Sequence, residues 1–397
     1  MSEPSNGSPR RVLTASNSWP GLAAAILTVT TVGVTLSGIA PLLSLNLEHQ
    51  GVDPAWNGLL GAIPSLAMIL VSPFIPQIVR CLGAAQAIYA SSMLAFAITL
   101  LFPFVDALPA WFVMRFFMAL GMGVALVISE TWVNALAPAE KRGTVMGIYT
   151  SVFCIGLATG TLSISFIGSE GTTPFAVCAA FLLIALIPAA IANRSGAPEF
   201  RHHPPMPLRQ AFAQAPLVMF ATLICGAVWI AILALLPVYG VRSGMMQSQA
   251  LFLLTAYVVG NIGFQLPLGR LLDRWSAPLI LAACGIFQLL GAVILPLVVR
   301  EGALAWPVLA MWGGTLGAVY TTALTMLGRT FTTEQLTGAS SAQSLAFEIG
   351  AVSGPLLAGI GMRAWNPDGM LIVIGAAGIF LACYGMRTYF ASHRLSA

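Results

Sequence analysis

Residues 109–136 read PAWFVMRFFMALGMGVALVISETWVNAL, and only two of these side chains, Arg115 and Glu130, are charged. Wound as an α-helix at about 1.5 Å per residue, the stretch reaches roughly 42 Å. That exceeds the ~30 Å hydrocarbon core of a bilayer. Eleven similar stretches flank it, so the sequence predicts spans at 19–46, 55–79, 84–104, 109–136, 142–167, 173–193, 211–238, 249–271, 277–299, 304–330, 336–362 and 369–391. Over 397 residues the chain is 58% hydrophobic and 8% charged, against about 25% charged in ordinary soluble domains. Its mean hydropathy is +0.90. The bilayer is therefore the solvent for most of the chain, and the fold class is an all-α integral membrane protein. Away from the stretch ends the charged side chains are Arg115, Glu130 and Glu348. A charge near mid-bilayer costs roughly 2.5–3.5 kcal/mol even on lenient insertion scales, so each of the three needs a reason.

The connections are short and carry helix breakers, at Gly51–Pro54, Pro103–Pro109, Gly168–Pro174 and Asn366–Gly369. The exception is RSGAPEFRHHPPMPLRQ (194–210), polar and proline-rich, which reads as a linker between a six-helix bundle at 19–193 and another at 211–391. Residues 1–18, with Arg10 and Arg11, read as a cytoplasmic tail leading into a retained first helix, and 392–397 as a second tail. With the N-terminus inside, inner loops and tails hold thirteen arginines and lysines, while the outer loops hold only Arg242, Arg300 and Arg363. This bias puts both termini in the cytoplasm of a bacterial inner membrane. The bundles also repeat. Ala110-Trp111 recurs as Ala305-Trp306 and Gly143 as Gly338, both 195 residues on, and SPFIPQIVRCLG (72–83) matches LPLGRLLDRWS (266–276). Parallel repeats of six spans are a transporter architecture.

GRLLDR (269–274), at the end of the eighth stretch, resembles the signature loop of the major facilitator superfamily: a glycine, a basic residue and an Asp-Arg pair. Arg115-Phe-Phe with Gly121 and Gly123 is similar to that superfamily's arginine-and-glycine motif, and ALAPAEKRG (135–143) resembles its link between spans four and five. The resemblance implies twelve spans in two pseudo-symmetric bundles and a secondary transporter. It also implies a gating or structural role for Arg80, Gly83, Gly269, Arg270, Asp273 and Arg274. The first-half copy departs from the pattern, with Arg80 at the aspartate position and Pro76 at the glycine. The GxxxGP motif usual in span five of drug–proton antiporters has no proline here (Gly156, Gly160, Thr161). A fuller version, Gly350, Gly354, Pro355, falls in span eleven.

Three charges and one stripe are the candidates for substrate or proton binding. Arg115 lies about 9 Å into its helix. It either lines a central cavity, attracting an anion or tuning a carboxylate, or snorkels to the interface. Glu130, 15 residues on, is a coupling carboxylate or a gating partner for basic residues such as Arg80. Glu348 stands near mid-membrane with Ser341 and Ser344 on its helix face. A carboxyl group there can bind and release a proton as its surroundings alternate between wet and dry. Tyr257, Asn261 and Gln265, spaced by four, form a polar stripe on span eight. Thr28, Thr31 and Thr35 form one on span one, and Tyr320, Thr321 and Thr325 one on span ten. Each stripe can equally be helix–helix glue.

Several function classes are excluded. Lys141 is the only lysine and Arg142 follows it, so no P-loop can be written and no ATP motor is built in. The six cysteines form no CxxC, and the four histidines fall in loops or tails. No metal, no cofactor, no nucleic acid and no enzymatic activity is expected. The net charge of +4 is scattered over the loops. The leading expectation is a monomeric, proton-coupled antiporter exporting a small, partly apolar organic compound. The alternatives are uptake or exchange of a small organic anion held by Arg115, a lipid flippase, and a non-transporting membrane sensor.

Overall fold

The computed structural model describes residues 19–136, 142–192, 206–263, 275–299 and 304–394, and every element among them is helical. One long helix answers each expected stretch. In order these are Trp19–His49; a broken second span of Pro54–Val71 and Ile75–Leu82; Ala84–Leu101; Leu108–Leu136; Arg142–Ile167; Thr173–Ala192; Pro216–Arg242; Gln247–Gly263; Ala277–Val298; Ala305–Thr330; Thr333–Ala364; and Gly369–Arg394. They are called spans one to twelve below. Among the described residues eight helices are long and apolar enough to cross a membrane on their own, and Ser151–Ile167 and Thr173–Ile184 are shorter apolar helices.

The helix ends follow local chemistry. Asp53 caps span two by accepting a 2.8 Å hydrogen bond from the Ala55 amide, with Pro54 in the first turn. Pro73 sits in the single 3₁₀ turn, Ser72–Phe74, that interrupts this span. Gly83, at φ +82°, lets spans two and three join without a loop. Residues 211–238 are not one helix, as the sequence alone suggests. A short helix, Leu208–Gln214, stops at Ala215, which leaves the helical region (φ −136°, ψ 60°) because Pro216 follows it.

Apolar packing divides the chain in two. Among the described residues, one core draws from 29 to 182 alone, the other draws on 211 to 381 with Ala40 and Leu157 from the first half, and a small third cluster, Leu45, Ile164, Cys178 and Leu251, crosses between the halves. Matched glycine pairs tighten each half. A Cβ on Gly156 or Gly160 would lie 2.4 or 2.1 Å from the Thr30 or Val34 carbonyl oxygen, so span five lies directly on span one. Gly350 and Gly354 meet the Leu223 and Ala227 carbonyl oxygens at 1.9 and 2.0 Å in the same way, seating span eleven on span seven.

Candidate functional site

The seam between the halves differs sharply between its two ends. The loops that follow spans one, three, five, seven, nine and eleven share one end, called here the odd-loop end. There the halves are tied together. Arg242 on span seven reaches Glu48 on span one through two bonds, Nε–Oε1 at 2.8 Å and Nη2–Oε2 at 2.9 Å, and Nη1 donates to Asn366 at 3.1 Å. The two charged side chains are only 19% and 14% exposed. Arg363 of span eleven pairs with Asp53 at 3.2 Å, in a more open setting. Ser165 and Thr255 share a 3.2 Å hydrogen bond between spans five and eight, and Gln247 bonds Ser169 close by. Backbones also touch. A Cβ on Gly58 would lie 2.1 Å from the Pro355 carbonyl oxygen, and one on Gly359 would lie 2.5 Å from that of Pro54. Pro355 thus serves as a contact surface for span two, while Gly354 faces span seven.

Two of the three arginines in the odd-numbered loops, Arg242 and Arg363, therefore form this seal. Sequence reading passed over their partners because Glu48 lies 194 residues from Arg242. The signal in the sequence was that arginine is rare in the odd-numbered loops, so each one there calls for a reason.

Toward the other end, polar groups from both halves face one another. Glu130, about 9 Å from the even-loop end of span four, is exposed and lies within electrostatic reach of Tyr149 and of Tyr320 on span ten. Tyr320 is 41% exposed and also within reach of Glu348. Glu348 stands halfway along span eleven, half-buried, and the Ser65 hydroxyl of span two interacts with its carboxyl group. Ser344 and Ser341, one and two turns below it, are exposed. Glu130 on span four and Glu348 on span eleven thus both lie within electrostatic reach of Tyr320 on span ten, which packs edge-on against Phe347, the residue next to Glu348. Ser65 carried no signal in the sequence, being a lone serine in an apolar helix.

Arg115 does not join this group, nor does it snorkel. It is 3% exposed and lines a cavity of about 30 Å³ between spans one, two, four and seven, beneath the Glu48–Arg242 pair. Arg80, named as one basic gating partner for Glu130, is exposed and makes no ion pair among the described residues. Gly83 serves as the span two–three hinge described above. Gln265, Gly269, Arg270, Asp273 and Arg274 lie outside the described residues. The rest of the span-eight stripe turns into its own half. Tyr257 is fully buried, its ring tilted against Trp229 and edge-on to Trp312, and Asn261 donates to the Gly313 carbonyl at 3.2 Å. These two residues join spans eight and ten, as the glue reading expects. The span-one hydroxyls behave likewise, Thr35 bonding the Thr31 and Cys178 carbonyls.

Two six-helix halves, sealed at one end and bringing ionisable groups together across their seam, define a membrane transport protein. Residues 25–331 and 244–396 match the family model of the Major Facilitator Superfamily. The chain belongs to that superfamily, a family of multi-pass membrane transporters. Relatives include "Uncharacterized MFS-type transporter YfkF" of Bacillus subtilis, 23% identical over 88% of this chain and 90% of that protein. YcaD of Escherichia fergusonii, with the same style of name, is 22% identical over 89% and 91%. Among solved structures, a bacterial homologue of the human lysosomal transporter Spinster, inward-facing and unoccupied, superposes with TM-score 0.73 at 14% identity, covering 96% of this chain and 98% of its own. A D-xylose–proton symporter superposes at 0.69 with 16% identity, covering 92% and 97%.

Proposed function

We propose that this chain is a proton-coupled secondary transporter that exports a small, partly apolar organic compound by alternating access. The observation that supports the reading is that carboxyl groups from the two halves, Glu130 and Glu348, both lie within electrostatic reach of Tyr320. The arginine bias orients the molecule: the sealed odd-loop end faces outward, the polar groups face the cytoplasm, and the conformation is closed to the outside. The Spinster homologue, whose TM-score is the higher of the two solved structures, is inward-facing, which agrees with that orientation.

In this mechanism Glu348 is the carrier. Its mid-membrane position lets one carboxyl group meet either aqueous side as the halves rock, while Ser65 holds it when the seam is closed. Facing outward, the carboxylate takes up a proton from the exterior. Facing inward, it releases that proton to the cytoplasm past Tyr320 and Glu130, and cargo enters the vacated polar gap. No covalent step is involved, and the proton gradient supplies the energy. Cargo contacts come from half-exposed aromatic side chains, Tyr320 with Phe347 at 6.1 Å, in keeping with an apolar compound. The protein acts as a monomer in the inner membrane.

The test is flux in proteoliposomes under an imposed pH gradient. Glu348→Gln should bring gradient-driven transport down to that of empty vesicles while sparing cargo exchange at equal pH. Full gradient-driven flux in that variant would refute the coupling role.

A further inference from the structure

Arg115 forms no ion pair among the described residues. A guanidinium stays protonated under any conditions the cell offers. Held in apolar surroundings, it needs a negative partner. The four helices around its cavity contain just two acidic residues in their whole length, Glu48 and Glu130. Glu48 is held by both nitrogens of Arg242. Glu130 lies 15 residues along the same helix, about 22 Å away. The nearby cap residue Asp53 pairs with Arg363. Arg115 Nη1 is fully buried and has no hydrogen-bond partner among the described residues. The cavity it lines is otherwise apolar, with Ser44 the only other polar residue in its wall.

We infer that this cavity is a binding site for a small monovalent inorganic anion of chloride size, held by Arg115 between the two halves. The size follows from the volume. About 30 Å³ admits roughly two waters, so a halide fits and an organic acid of several carbons does not. Water alone would satisfy Nη1 but leave its charge uncompensated. The site spans the seam, since Leu36, Ala40 and Leu60 come from one half and Ile230 and Leu233 from the other. An anion there neutralises the arginine only while the odd-loop end is closed around it. Bound anion therefore favours the sealed conformation and is released to the outside when the seal opens. This inference stands independently of proton coupling at Glu348.

The experiment is a thermal-shift titration of the purified protein in gluconate, replacing gluconate by chloride, bromide, nitrate, sulfate or butyrate at constant ionic strength. Chloride and bromide should give a saturable rise of about 3 °C, with no response to sulfate or butyrate and none in Arg115→Gln. Ala40→Leu fills the cavity and leaves the arginine in place; it should weaken the halide response at least about tenfold, which covers the case of an Arg115→Gln protein that fails to fold. In crystals grown with bromide, anomalous density should lie beside Nη1. Identical melting in chloride and gluconate, an undiminished response in Arg115→Gln or Ala40→Leu, or bromide density only elsewhere would overturn the site. A response to butyrate in place of halide would assign the arginine to a carboxylate cargo and overturn it equally.

Discussion

The two ends of the inter-half seam are built by the same twelve helices, yet they behave as opposites. At the odd-loop end glycine backbones touch across the halves, and two arginine–carboxylate pairs close over them. Toward the other end Glu130, Ser341, Ser344 and Tyr320 stay exposed. Within each half, by contrast, matched glycine pairs make equivalent contacts, Gly156 and Gly160 on span one and Gly350 and Gly354 on span seven. The asymmetry therefore lies in how two rigid halves are tilted, and not in how each is packed. A rocking transporter needs that separation: tight, dry contacts inside each moving body, and weaker, reversible ones between the bodies.

The largest break in this comparison should come from Gly58→Val. The new side chain would collide with the Pro355 backbone at 2.1 Å, and backbone cannot yield as a flexible side chain can. The sealed end should then be wedged open. Ser44→Cys, in a background with the exposed Cys81 and Cys383 changed to Ser, should pass from protected to fully labelled by an impermeant maleimide added outside. Continued protection would mean that the seam is not sealed by this contact. Arg242→Ala comes next. Removing one partner of a largely buried, doubly bonded pair costs about 1.5–3 kcal/mol. Labelling of the same cysteine should rise about tenfold or more, and Glu48→Ala should add little to it. The smallest change should follow Arg363→Ala, whose pair is 67% and 35% exposed. Exposed pairs contribute about 0.2–1 kcal/mol, so roughly twofold faster labelling is expected, disappearing at high salt. Equal effects from the two arginines would undo the ranking by burial.

Much of this was legible from composition and period. Span four announces itself because 28 residues with two charges can satisfy their backbone only as a helix in lipid. The half-repeat was readable because 195-residue self-similarity survives as Ala-Trp and glycine landmarks. The candidate site was legible in part. Glu130 and Glu348 stood out as charges in oil, and lining a cavity was one of the two readings open for Arg115. The stripe of Tyr257 and Asn261 misled, because a period of four says that residues share a helix face and does not say which neighbour that face meets. Ser65, Glu48 and Asp53 gave no signal, since their importance comes entirely from partners on other helices.

The sequence by itself determined that this protein lives in a bilayer as two related six-helix halves, because transfer of charge into hydrocarbon is costly enough to dictate helix lengths and ends. Only the tertiary structure decided which end is shut, that Arg115 makes no ion pair among the described residues, and that Tyr320 lies within electrostatic reach of two carboxyl groups. Those are distances between residues far apart in the chain, set by the tilt of one half against the other, and no local pattern encodes a tilt.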